Sequence, residues 1–177
     1  MDDDTDMAVI IGLIQEAAEW LRSQGTDQWA RPWPDRTGRD DTVRAALNQG
    51  KSWICRDKDT ATATITADPD ENPYWREVGF GEPAVYVHRL VVSRQYAGVG
   101  LGAALLDWAG RSARRDHGAR WIRVSAWTTN LRLHTYYQEQ GFSSCGFHKD
   151  HDYPSAARFQ KSTTDIPSAE SVLFRQI

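Results

Sequence analysis

The stretch Gln95 to Gly110, "QYAGVGLGAALLDWAG", sets Gly98, Gly100 and Gly102 just ahead of an unbroken run of good helix formers. Glycine costs backbone entropy, so a cluster at a helix start marks a main chain that something approaches closely. The residues before it, "AVYVHRLVV" at 84–92, read as a strand. A strand feeding a glycine-rich loop that opens a helix presents successive free N–H groups, backed by the helix dipole, to an anion. A diphosphate is the natural guest, and spacing separates the ways of holding one. A P-loop needs Lys followed by Ser or Thr after its last glycine, but Gly102 is followed by Ala103 and Ala104. A dinucleotide fingerprint needs a different glycine spacing and an acid after the next strand, and "WIRVSAW" at 121–127 lacks that acid. What fits is Gln95, two residues, Gly98, one residue, Gly100.

Around this unit the chain alternates helical and strand patterns. Residues 7–23 repeat apolar side chains at helical spacing, and "DDTVRAALNQG" reads as a second helix capped by Asp40 or Asp41 and stopped at Gly50. "SWICRD" and "TATATITA" form strands joined by a hairpin at Asp57-Lys58-Asp59, while residues 68–83 carry too many breakers for a regular element. After the central strand and a helix through about Asp116 come the strand "WIRVSAW", the helix "LRLHTYYQEQ" ending at Gly141, and a terminal hairpin of "SSCGFHK" and "AARFQKS". The order predicts an α+β or mixed α/β fold around one mostly antiparallel sheet flanked by helices.

Length predicts one domain over residues 1–177, with 163–177 as a C-terminal extension. The net charge of -3 gives no electrostatic reason to bind nucleic acid. Only Cys55 and Cys145 are present, without metal-type spacing, and the histidines share no ligand spacing, so no metal is expected. Apolar stretches too short to span a bilayer and an acidic start without a signal-peptide pattern predict no membrane association and a cytoplasmic location. Five of the eight tryptophans precede the glycine stretch, which suits aromatic walls around a small molecule as well as core packing.

The hexapeptide at 95–100, together with "NLRLHTYYQEQGF" at 130–142, resembles the GNAT superfamily of acyl-CoA-dependent N-acyltransferases. The second stretch matches that family's other common signature through Asn130, Tyr137 and Gly141-Phe142, and a strand lies between the two. The resemblance covers roughly residues 50–162 and implies acetyl-CoA as cofactor, with direct transfer of the acetyl group to an amine and no acyl-enzyme. It implies cofactor contacts at Leu90, Val91 and Val92, along Gln95, Tyr96, Ala97, Gly98, Val99 and Gly100, at Leu101, Gly102 and Ala103, and at Asn130, which equally reads as a helix cap. Tyr137 matches the family's tyrosine near the coenzyme A sulfur and is the expected general acid; its neighbour Tyr136 is expected to be structural.

Strand alternation places Tyr86, His88, Leu90 and Val92 on one face, and Val87, Arg89 and Val91 on the other. His88 is the expected proton acceptor, since no acidic residue occurs from Ala84 to Val92 and a neutral imidazole with a pKa of about 6.5 suits the task. Its placement is similar to a histidine of the arylalkylamine N-acetyltransferases. In the fold so implied, the acceptor lies among the first two helices and their connection, the loop before the central strand and the final hairpin. Trp29, Trp33, Trp75, Tyr86 and Tyr153 are therefore expected walls, and Asp27 an ammonium partner. The expected reaction is acetyl transfer to a primary amine of a small molecule; protein N-terminal or lysine acetylation and a non-catalytic acyl-CoA-binding module are the alternatives. Family members begin with an edge strand that "MDDDTD" does not offer, so Ser171 to Ile177 is expected to pair with a sheet edge of its own or of a second subunit in a homodimer.

Overall fold

The computed structural model describes residues 3–70, 72–78, 81–149 and 153–168. Helix α1 spans Asp3–Ser23 and α2 Arg36–Asn48. Strands β1 (Ser52–Asp57), β2 (Thr60–Asp68) and β3 (Ala84–Val92) follow, then α3 (Leu101–His117), β4 (Trp121–Ala126), α4 (Leu131–Glu139), β5 (Ser143–Phe147) and β6 (Ala157–Ser162). The strands form one six-stranded sheet in the order β1-β2-β3-β4-β6-β5, and only the β3/β4 pair is parallel. That parallel pair is joined by α3, as a parallel crossover requires.

Two boundaries differ from the sequence reading. The first helix starts at Asp3 rather than residue 7, because its polar first turn is held by ion pairs of Asp4 with Arg44 and of Asp6 with Arg56. Carboxylates there also complement the helix dipole. The second helix is capped by Asp35, whose side chain accepts from Gly38 N at 2.8 Å, and not by Asp40 or Asp41, which lie inside it.

The sheet buries both faces. On one, Leu105, Leu106 and Ala109 of α3 pack on Ile65, Val87, Ile122, Val124 and Phe159. On the other, Ile10, Leu13 and Ile14 of α1 pack with Val43 of α2 and Val91 of β3. Beyond β6, Thr163 is buried and its hydroxyl donates to Ala119 O at 2.8 Å, while Ile166 packs into the α3 side of the core beside Gly110. The segment Ser171–Ile177 lies outside the described residues, so its expected pairing has no counterpart here.

The central strand does not keep its alternation. Thr64 pairs with Val91 and Thr66 with His88, so Arg89 and Leu90 together face the single residue Ile65. This is a β-bulge, with Arg89 at φ 49°. Ahead of it Val87 faces α3; beyond it Val91 faces α1, while Leu90 and Val92 pack toward α3. The expected faces are therefore exchanged at the bulge, and Leu90 and Val92 do not share a side with Tyr86 and His88. Pairing of β3 with β4 ends at Val87 and Val124, although β3 runs on to Val92 and β4 to Ala126. The two strands part there and leave a notch in the middle of the sheet.

Candidate functional site

A cleft of about 760 Å³ enters this notch from the start of α3. Its floor is Leu90, Val91 and Val92 on β3. The loop supplies Tyr96, Ala97, Gly98 and Gly100, and the first turn of α3 supplies Leu101, Gly102 and Ala103. Gly98 and Gly100 stand at φ 85° and 82°, the left-handed region that glycine alone enters freely, and a methyl group on either would meet nothing within 4 Å. The main chain is thus bare to the cleft at the positive end of a 17-residue helix. Gln95, in the turn Arg94–Tyr96, and Val99, between the two left-handed glycines, are also expected here but are exposed and do not line the cleft.

Tyr137 and Tyr136 of α4 both line this cleft. The Tyr137 ring is buried against Phe142 and Phe159, and burial pushes its hydroxyl well above the usual tyrosine range. Among the described residues that hydroxyl has no hydrogen-bond partner. The Tyr136 hydroxyl packs so close to Gly102 that a methyl there would meet it at 2.8 Å, which explains the glycine at that position. Asn130 caps α4, accepting from Leu133 N at 3.1 Å, and donates to Gln28 Oε1 at 2.6 Å. Both ends of its amide are thereby engaged, one N–H remaining, while it lines the cleft. Two further lining residues were not legible as such: Arg94 lies 3.8 Å over the Trp20 ring, fixed where its main-chain N–H donates to Glu16.

On the other side of β3 a second cavity, of about 700 Å³, is lined by Trp29 and Trp33 from the α1–α2 connection, His88 from β3, and Tyr153. Tyr74 and Trp127 join them. Tyr74 and Tyr153 stack at 3.9 Å, and Trp33 stands edge-on to both. This makes a continuous aromatic wall. Burial pushes the Tyr153 hydroxyl up to about 12. His88 is held down at about 4, first by burial and then by the neighbouring Arg89 charge. It is therefore a neutral imidazole at physiological pH, and a weaker base than an exposed histidine.

Three expected wall or partner residues sit elsewhere. Trp75 is buried, donating its indole N–H to Ser125 Oγ at 3.0 Å, and Tyr86 packs beside it. Both line a small separate cavity of about 220 Å³, because the helical turn Pro73–Trp75 points Tyr74 and not Trp75 toward His88. Asp27 lines neither large cavity; its Oδ1 accepts from Trp127 Nε1 at 3.0 Å and from Thr129 Oγ1 at 2.7 Å. Those bonds hold its carboxyl below the usual aspartate range. Tied down in this way, the connection carries Trp29 at φ 58°, a backbone that bulky residues seldom adopt. Trp29 lines both cavities and marks where they meet. Among the described residues no group of three or more His, Cys, Asp or Glu comes together to hold a metal.

A family model described as the acetyltransferase (GNAT) family matches residues 14–142. The uncharacterized N-acetyltransferase YesJ of Bacillus subtilis (strain 168) is 30% identical over 145 residues, covering 80% of this chain and 78% of its own. A GNAT-family acetyltransferase structure from Listeria monocytogenes 4b F2365 superposes with a TM-score of 0.67 at 20% identity, over 89% of this chain and 90% of that one. The yncA protein of Salmonella typhimurium, solved with its cofactor acetyl-CoA, superposes with a TM-score of 0.57 at 15% identity, over 89% and 90%. The chain belongs to the GNAT family and is an acyltransferase that uses acetyl-CoA. The cleft suits that cofactor, with a bare glycine loop at a helix N-terminus for the diphosphate and an apolar strand floor leading to Tyr137.

Proposed function

We propose that this enzyme transfers the acetyl group to the primary amine of a small molecule held in the cavity beside His88. The observation that carries this reading is the meeting of two cavities across β3 at Trp29, one lined by the glycine loop and Tyr137, the other by His88 and an aromatic wall. Acetyl-CoA, when bound, supplies the acetyl group as a thioester, which an amine attacks directly.

Each chain residue then has a defined task. The N–H groups of Leu101, Gly102 and Ala103 have no partner within their helix and hold the diphosphate against the helix dipole. Tyr137, kept protonated by its burial, donates a proton at the inner end of the cleft, where a thiolate would otherwise accumulate. His88 accepts the proton of the incoming ammonium. Because its own affinity for protons is low, it passes that proton on to water rather than keeping it. Trp29, locked by the Asp27 contacts, keeps the two substrates in register.

The reading is tested by following free thiol release from acetyl-CoA with a panel of small amines alongside peptides bearing free N-termini or lysines. Turnover with small amines supports it. Turnover confined to peptides would redirect it to protein acetylation, and tight acetyl-CoA binding without turnover on any acceptor would make the protein a binding module.

A further inference from the structure

Five arginines line the acceptor cavity, Arg22, Arg31, Arg36, Arg39 and Arg89. Against them stand three acids, and two of these, Asp68 and Asp70, are already paired with Lys51, which lies outside the lining; of the arginines, Arg39 is likewise paired outside it, with Asp40. The cavity therefore has a cationic surplus, which is unexpected for a site that takes only an ammonium.

Arg89 concentrates that surplus. Its Nε is buried and has no hydrogen-bond partner, and no ion pair reaches its guanidinium among the described residues. Two other arginines also bury an unpartnered nitrogen, but their guanidinium groups are otherwise engaged. Arg123 bonds Gln160 and Tyr86, and Arg158 bonds the carbonyls of Tyr74 and Phe147. Asp68 and Tyr153 act on Arg89 only at a distance. A buried guanidinium N–H without a partner is costly, and a planar anion in the cavity would relieve that cost through the paired N–H geometry that arginine offers carboxylates.

The bulge explains why the side chain is there. In a regular strand Arg89 would face α3, opposite His88. With φ at 49° and two residues set against Ile65, the strand brings Arg89 to the same cavity as His88. Neighbouring residues thus present a proton acceptor and a carboxylate partner to one bound molecule. We propose that the acceptor is a free amino acid, its amine directed to His88 and its carboxylate held by Arg89. This rests on the small-amine reading above and narrows it to amines that carry an anion close to the nitrogen.

The test is a matched series: common amino acids, their carboxamides and their decarboxylated amines. Each is assayed for thiol release from acetyl-CoA and, separately, for binding through quenching of the cavity tryptophans. The amino acids are expected to exceed their carboxamides by about 10–100-fold in kcat/KM, the usual worth of a charged hydrogen-bonded contact. In Arg89→Gln this ratio falls toward one, chiefly through KM, and Arg89→Lys restores part of it. Carboxamides or decarboxylated amines that match the amino acids overturn the carboxylate anchor and leave the small-amine reading standing. Amino acids that bind in preference to their amides yet accept no acetyl group support the anchor and overturn the transfer reading. Neither binding nor transfer by any member of the series overturns the proposal.

Discussion

At the scale of single residues, the proposed roles of Tyr137 and His88 separate cleanly. Tyr137→Phe keeps the ring that packs on Phe142 and Phe159 and removes only the hydroxyl. It is expected to lower kcat by about 10²-fold or more, the range of general acid catalysis, while acetyl-CoA affinity changes little. Stopped-flow turnover beside calorimetric binding checks this, and equal losses in both would point to a packing role. His88→Ala is expected to depress the rate mainly below the pKa of the amine, with recovery at high pH where the amine is already neutral. The same histidine also shapes acid stability. Its pKa of about 4 in the fold lies below the ordinary 6.5, so the unfolded chain takes up the proton first. The stability tied to neutral His88 is full above pH 6.5 and is lost as pH falls toward 4, by at most about 3 kcal/mol. Denaturant titrations of wild type and His88→Ala between pH 4 and pH 7 should therefore diverge in slope, and parallel curves would refute the burial effect. That Tyr137 and His88 each line a cavity was legible, one from its place seven residues after Asn130, the other from the lack of acids on its strand. The depressed basicity of His88 was not, because it depends first on burial by other parts of the chain and then on the bulge that brings the Arg89 charge to the same cavity.

At the scale of elements, the junction of loop and α3 was the most legible part of the molecule. Glycines at alternate positions can be read without any tertiary information, and the positive φ values of Gly98 and Gly100 follow from the turn they build. Gly100→Asp is expected to abolish acetyl-CoA binding, since it sets a carboxylate and a strained left-handed backbone against the N–H groups proposed to take the diphosphate. Calorimetry on the folded variant decides, and undiminished affinity would remove the diphosphate from this loop. The bulge in β3 was illegible for the opposite reason. "VHRLVV" alternates well enough to read as a regular strand, and nothing local in it requires an extra residue. The irregularity shows only in the pairing with β2, a long-range property, and it decides which cavity Arg89, Leu90 and Val92 reach. Trp75, expected as a wall, lies away from the His88 cavity for a similar reason, and its neighbour Tyr74 lines it. Adjacent aromatics in a short helical turn point apart, and sequence does not say which one faces the site.

At the scale of the whole molecule, the meeting of the two cavities depends on a contact between segments about a hundred residues apart. Asp27 follows α1, whereas Trp127 and Thr129 follow β4, and the single oxygen Oδ1 of Asp27 takes a hydrogen bond from each. Gln28, next in the chain, accepts from Asn130 at the start of α4. Together these bonds pin the connection that carries Trp29 across the meeting of the cavities. The Asp27 carboxylate is exposed, so the latch adds little to global stability, and its effect should fall on the geometry of the site. Asp27→Ala is accordingly expected to raise KM for acetyl-CoA and for the amine together, several-fold each, with a melting temperature within a few degrees of wild type. Thr129→Val should reproduce part of that change, and the double variant should be less than additive because both single changes break one unit. The pH dependence has a definite sign. The pKa of Asp27 in the fold lies below the ordinary value of 3.8, so the latch is complete above that pH and is lost only as pH falls through the lower, folded value. Binding of acetyl-CoA should thus keep its dependence on Asp27 down to about pH 4. A variant that alters KM for the amine alone would mean instead that Asp27 meets the acceptor directly, as an ammonium partner would.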